Sequence, residues 1–542
     1  MSRVTSLREA IGTIRDGELL TFGGFQLNRA PMALVFELIR QGRRDLRVVS
    51  VPNPLPLDLL VAAGAVAEAE FGFLGFQCED GFVIAPTIKR AIEQGALRFR
   101  ERDVYEIVQG LRAAAQGLPF LAAPGGFGSD YARVNRTPEI TDPETGGRIP
   151  ISGAIRPDVA LLHVQMADRK GNLRIDDPYA DDLLARASRR VIASAEKIVE
   201  RIDEPTIPGA FVDLVVEAPG GAFPTTCHRA YRYSLVHMRS YLSSVSSGRP
   251  ADYLDRYVTG TRDHAAFLSA VESPGGWEGP ALDTPGGGGT QGPVRPVAAA
   301  GWDAARPADR LVVEMARLIK DGDVVATGVA SALPMLAVAL ARATHARGLT
   351  YFNCVGAVDP DVRSASPTSV DPRLLERCEG RISLPGLFDL AHRGGIDLMF
   401  FGAAQVDALG RTNLTCIGDY DRPRVKLPGP AGSSSMRSHV PKIVITIPKH
   451  SARTLVESVD FATTAAAPAN RDTSVVTDLA LFKLQSGRLS LVSRRDGVRP
   501  DEVRARTGFA VDGEGETAPG PTESECNALA MLDPAGIRHA MV

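Results

Sequence analysis

The chain has 542 residues, 44% hydrophobic and 23% charged, which is ordinary soluble globular composition and enough for two large domains. A net charge of −3 carries no polybasic signature and gives no reason to expect nucleic acid as a partner. No apolar run approaches the ~20 residues of a membrane span and no apolar signal core opens the chain. The expectation is therefore a cytoplasmic protein with no membrane partner, its six scattered cysteines reduced.

The first residues predict an amphipathic helix: Ser6 and Glu9 have capping-box spacing, and Leu7, Ala10, Ile11 and Ile14 share a face. Asp16-Gly17 then predicts a turn, residues 19–22 a strand, and Gly23-Gly24-Phe25 a close backbone approach. The same pattern returns in the second half. Val312, Met315, Ala316 and Ile319 repeat the helical face, Asp321-Gly322 the turn, Val324-Val325 the strand and Gly328 the glycine. Pro31-Met32 corresponds to Pro334-Met335, each opening an apolar helix. Further on, Asp158 to Asp168 with Gly171 and Asn172 parallels Asp397 to Asp407 with Gly410 and Asn413. Two matches in one order predict duplication of a whole domain.

Aliphatic runs alternate with helical patterns in each half, so the fold class is α/β: two homologous open α/β domains with mainly parallel sheets. Between them, residues 263–307 are rich in Gly and Pro and cannot bury a core. The expected division is 1–262, a linker 263–307, and 308–542, with apolar residues 528–532 docked at the end. Within the second half, 398–401 predicts a buried strand running into Gly402-Ala403-Ala404, where small side chains let a ligand near the backbone. Ligands of open α/β sheets sit at such strand ends. Lys426-Leu427-Pro428-Gly429 follows, then a Gly/Ser-rich loop reaching Ser435.

Three blocks in this stretch, GAAQVD from Gly402, GDYDRP from Gly418 and VKLPG from Val425, resemble the β subunit of family I CoA-transferases, the glutaconate CoA-transferase group. In the first half, Asp16-Gly17, Gly23-Gly24-Phe25 and Pro31 resemble the α subunit, as do Gly128-Ser129-Asp130 and residues 215–222. One departure is Arg29, where that family has glycine. The resemblance covers nearly all the chain and implies an α–β fusion acting on an acyl-CoA between its halves, with no permanently bound cofactor. A homo-oligomer is compatible with it. Glycine-backed sites expected to meet CoA or an oxyanion are Gly23, Gly24, Gly328, Gly356, Gly402, Ala403, Ala404, Gly429 and Gly432, with Gln405 and Lys426 beside them.

The family is known for a β-half glutamate that attacks the thioester and carries CoA covalently. Here the comparable segment, 351–357, has Cys354 in that place, so no glutamyl thioester can form there. Cys354 reads either as a small buried residue or as a thiol nucleophile, which would need an activating base or cation. The resemblance extends to ring-opening CoA-thioester hydrolases, which lack the β glutamate and imply an α-half acid. Glu101 and Glu106 are the first candidates and Glu79 the second. Hydrolytic cleavage, of a thioester or of a ring C–C bond, is preferred; CoA transfer through another nucleophile and an acyl-CoA-binding pseudoenzyme are the alternatives. No histidine has metal-ligand spacing, and no metal is expected.

Overall fold

The computed structural model describes residues 3–78, 80–177, 179–271, 306–362, 368–468, 471–534 and 536–541. The helix predicted at the start is Leu7–Gly12, and both arms of its Ser6–Glu9 capping box are formed. With two small antiparallel sheets beside it, the first half is built on one open sheet. Its strands run from edge to edge as Leu214–Glu217, Arg190–Val199, Val159–Asp168, Leu19–Phe22, Leu46–Ser50, Val66–Phe71 and Arg98–Glu101, all parallel to their neighbours. Leu173–Arg174 adds to it antiparallel. Val159–Asp168 is buried on both alternating faces, as a parallel strand covered on each side must be, which is why it reads as one apolar run.

The second sheet repeats this order. Asp472–Thr477, Lys442–Ile447, Leu398–Gly402, Val324–Thr327 and Thr350–Asn353 are parallel and follow one another as the first five strands of the first sheet do. Antiparallel strands extend both edges, so the copies differ only at their margins. Duplication reaches individual hydrogen bonds. The Leu19 N–H donates to Asp158 Oδ2 at 2.9 Å, and the Val324 N–H to Asp397 Oδ2 at 2.8 Å. Asp168 Oδ1 accepts from the N–H groups of Lys170 and Asn172; Asp407 Oδ1 accepts from those of Leu409 and Arg411. The glycines of both turns, Gly171 and Gly410, have φ of +88° and +72°.

Three expectations shift in detail. Pro31 precedes its helix, Met32–Arg40, but Pro334 lies inside the first turn of Ala332–Thr344. The expected linker is structured at its ends: His264–Ala270 is a helix whose buried Phe267 packs edge-on to Phe36, and Pro307 opens the helix Pro307–Arg317. Residues 272–305 of that linker lie outside the described residues. The tail is docked through Glu523–Leu532, with Leu529 fully buried and Arg317 ion-paired to Glu525.

The halves share a core. One cluster of buried apolar side chains holds Ile155 and Tyr179 of the first together with Cys354 and Phe388 of the second. Arg112 reaches across to Asp389 with two hydrogen bonds, at 2.6 and 2.5 Å.

Candidate functional site

The Gly/Ser-rich loop of the second half threads into the first. The Leu74 N–H donates to Pro428 O at 2.7 Å, Ala431 N–H to Gly72 O at 2.8 Å, and Val104 N–H to Ala431 O at 2.7 Å. Proline at 428 and 430 removes two N–H donors from the loop, and small residues let three backbones lie this close. Gly429 has φ of +103°, and a Cβ there would stand 2.6 Å from Glu101 Oε1. A Cβ on Gly432 would stand 2.5 Å from the Phe388 ring. Both positions require glycine.

Beside this loop a cavity of about 380 Å³ opens between the halves. Phe73, Phe82 and Ile84 wall it from the first half. From the second, six of the expected ligand-site residues line it: Gly328, Gly402, Ala403, Ala404, Gly429 and Gly432. The first four come from the ends of neighbouring parallel strands, where the sequence reading expected a ligand, and the last two from the threaded loop. The Ala404 N–H is committed to Asn413 O and the Gly429 N–H to Leu414 O.

Behind the Gly429 wall lie three buried carboxyl groups on the first half. Glu101 ends the edge strand Arg98–Glu101 and is fully buried. Lys426 Nζ donates to its Oε1 at 3.0 Å, while Oε2 is buried without a hydrogen bond. Burial pushes the Glu101 carboxyl up to about 7, against the opposing pull of Lys426. Asp103 caps the helix Val104–Ala115 through the Tyr105 N–H and also accepts from the N–H and hydroxyl of Ser435. Burial raises it to about 6. Glu106, in the first turn of that helix, has no ion-pair partner among the described residues. Burial and the Asp103 charge push it up to about 8. Glu79 lies outside the described residues.

Other expected ligand contacts are spent inside the protein. Lys426 is 1% exposed and uses its three protons on Glu101, Thr415 O and Leu427 O, which makes it the counter-ion of Glu101 in this structure. Gln405 donates to Asp460 and accepts from Asn413, which fixes the turn after the strand. Gly23 and Gly24 face a carboxylate: the Gly24 N–H donates to Asp181 Oδ1 at 3.2 Å, and a Cβ on Gly23 would stand 2.2 Å from the same atom. Arg29, at φ of +53° and fully buried, pairs with Asp181 and Asp177. That ion-pair cluster fills in the first half the place that is cavity in the second, and its carboxylates would repel an oxyanion. Gly356, at φ of +98°, makes the turn after Cys354.

Cys354 is buried one strand over from Gly328 and does not line the cavity. Burial pushes its thiol up to about 12. Among the described residues, His163, Glu196 and Cys227 bring possible metal-ligand atoms within 4.8 Å, but His163 and Glu196 are already hydrogen-bonded to one another, to Ser194 and to Tyr231. Phe73, Phe82 and Asp103 were not singled out by sequence reasoning. The first two carry no motif, and only their place beside the threaded loop makes them lining residues.

The sequence profile described as Coenzyme A transferase matches residues 4–218 and again 309–506, one stretch in each half. The chain belongs to this family, whose members act on acyl-CoA. A cholesterol ring-cleaving hydrolase IpdA subunit from Rhodococcus jostii is 33% identical over 276 residues, 48% of this chain and 92% of its own. A chain in a crystal structure of the decarboxylase AibA/AibB is 43% identical, covering 44% of this chain and 98% of its own, with a TM-score of 0.42. The Escherichia coli O157:H7 acyl-CoA transferase YdiF, 16% identical, covers 96% of this chain and 95% of its own at a TM-score of 0.68, and so shares the two-domain α/β fold. Among the described residues no helix of the chain is long and apolar enough to cross a membrane.

Proposed function

We propose that this coenzyme A transferase family enzyme cleaves its acyl-CoA with water, in the cavity between its halves, with Glu101 as the base. Cys354 carries the reading. It stands where the family resemblance expects the covalent carrier, and a thiol raised to about 12 is almost wholly protonated near pH 7. A transferase must hold one partner covalently while carboxylates exchange. A hydrolase needs only a site for the developing oxyanion and a base for water.

Glu101 stands fully buried behind the cavity-lining Gly429, so this reading has the threaded loop shift to let water reach its carboxyl. Water attacks the thioester carbon, a C–O bond forms and the C–S bond breaks. Glu101 takes the water proton, and CoA leaves as its thiol. A carboxyl at about 7 is half ionised at neutral pH and can both accept and return a proton. Lys426 keeps a counter-charge beside it in both states. The carbonyl oxygen is expected to meet a backbone N–H near the strand end at Gly402. Ring-opening C–C cleavage would use the same base and donors, and the name of the IpdA relative favours including it.

The test is steady-state release of free CoA from an acyl-CoA, with and without excess acetate, in wild type and Glu101→Gln. The reading predicts acetate-independent CoA release that falls about 10²–10⁴-fold in the variant. Acetyl-CoA formation with ping-pong kinetics would support transfer through another nucleophile. Loss of carbon dioxide with CoA still attached, or binding without turnover, would likewise contradict hydrolysis.

A further inference from the structure

The walls of the cavity between the halves are unequal. The second half lines it with backbone and small side chains at Gly402, Ala403, Ala404, Gly429, Ala431 and Gly432. The first half lines it with three large ones, Phe73, Phe82 and Ile84. Phe73 is 6% exposed, whereas Phe82 is 40% exposed. Among the described lining residues Phe82 is the large side chain most open to solvent. It belongs to a hairpin, Gly75–Cys78 paired with Gly81–Ile84, that joins no larger sheet among the described residues. The Gly75–Cys78 strand is buried at every position and the Gly81–Ile84 strand at none.

Gly75 pairs with Ile84, so Phe82 is its diagonal neighbour on the same face of the hairpin. The ring lies over the space that a side chain at 75 would take. A Cβ on Gly75 would stand 2.2 Å from Phe82 Cζ, 2.6 Å from its Cε2 and 2.9 Å from Phe73 Cε1. Phe73 flanks the ring, with centroids 6.1 Å apart. Both ends of the hairpin are held. At its base the Ala85 N–H donates to Leu74 O at 2.9 Å, and Leu74 is bound to the threaded loop. Near its tip the Arg239 guanidinium makes two hydrogen bonds of 2.6 Å to Asp80. We propose that Phe82 is the specificity residue of this cavity: its ring sets how broad an acyl group enters, and Gly75 sets where the ring lies. The facing wall is backbone and cannot retreat, so the width of the passage changes with this ring. Fit against such an apolar wall separates groups about 10–200-fold per methylene. This deepens the reading of the same cavity and rests on acyl-CoA binding there, but not on water being the acceptor or on Glu101 being the base.

The experiment uses the whole chain, with the isomers hexanoyl-CoA and 2-ethylbutanoyl-CoA as probes, and reads loss of the thioester whatever its product. The two carry the same atoms in a narrow and in a broad acyl group. Calorimetry of their unreactive thioether counterparts gives the same comparison without turnover. Phe82→Ala is expected to raise the branched-to-linear ratio, in kcat/KM and in thioether affinity, at least about tenfold, with Phe82→Leu between it and wild type. Gly75→Ala displaces the ring away from the hairpin and toward the cavity, so it is expected to lower that ratio, and to lose this effect in the Phe82→Ala background. Melting temperatures show which variants are folded. An unchanged ratio in folded Phe82→Ala overturns the proposal, and so does a loss that falls equally on both isomers. A Gly75→Ala effect that persists without the ring overturns the positioning by Gly75. Thioethers that bind with the expected ratios while no CoA is released to water would sink hydrolysis and leave this proposal standing. Failure of both thioethers to bind would sink the acyl-CoA reading of the cavity and this proposal with it.

Discussion

Glu101 and Glu106 sit five positions apart and are both lifted by burial, but among the described residues only Glu101 is ion-paired, while Arg102 and Arg100 act on Glu106 from further off. The difference has a thermodynamic consequence. A carboxyl whose folded pKa lies above its unfolded value binds more protons in the native state between the two values, so its contribution to stability falls as pH rises through that window. For Glu106 the window runs from an ordinary carboxylate range to about 8. Glu106→Gln removes the ionisation penalty. The variant is expected to melt above wild type at pH 8, with the gap closing toward pH 5; a gap that is constant with pH would contradict the buried, unpaired placement. Activity has the opposite slope. If Glu101 is the base, kcat/KM rises with pH with a midpoint near 7, and that midpoint disappears in Glu101→Gln. Cys354→Ala should keep its turnover, because a thiol at about 12 contributes volume and not charge.

At the scale of elements, the threaded loop from Pro428 to Ser435 fixes the site. It joins the halves by main-chain hydrogen bonds, walls the cavity and presses Gly429 onto Glu101. Gly429→Ala should cost about 1–3 kcal/mol in stability, from positive φ and the clash together, with a larger loss of activity than of folding. Denaturant melts alongside CoA-release assays check both. This loop was legible as glycine-rich from Gly429 and Gly432, and Gly402 as the small residue at a strand end that lines the same cavity. The partners were not legible. Lys426 reads like a CoA or oxyanion contact until Glu101, far away in sequence, is seen to occupy it. Gly23-Gly24 reads like an oxyanion site until Arg29 brings Asp177 and Asp181 over it. Periodicity and turn residues report local geometry, whereas these roles are set by side chains that only the tertiary fold brings together.

For the whole molecule, duplication was readable because strand order follows from paired turns and aspartates, and those recur in both copies down to the Asp158 and Asp397 hydrogen bonds. What the two copies do differently was not readable: one carries an ion-pair cluster where the other has a cavity. Since Arg112–Asp389 and the threaded loop hold the halves directly, a cut within residues 280–300 should leave them co-eluting on size exclusion and active. Separation on cutting would show that the tether, and not the interface, maintains the site.

The central claim is that CoA is released to water without a covalent acyl or CoA intermediate on this chain. Intact-mass spectrometry of the protein during turnover of an acyl-CoA in ¹⁸O-water tests it most directly. The account predicts an unmodified protein mass throughout and one ¹⁸O in the released acid. A protein heavier by an acyl or CoA group, with the label also entering the protein, would contradict it.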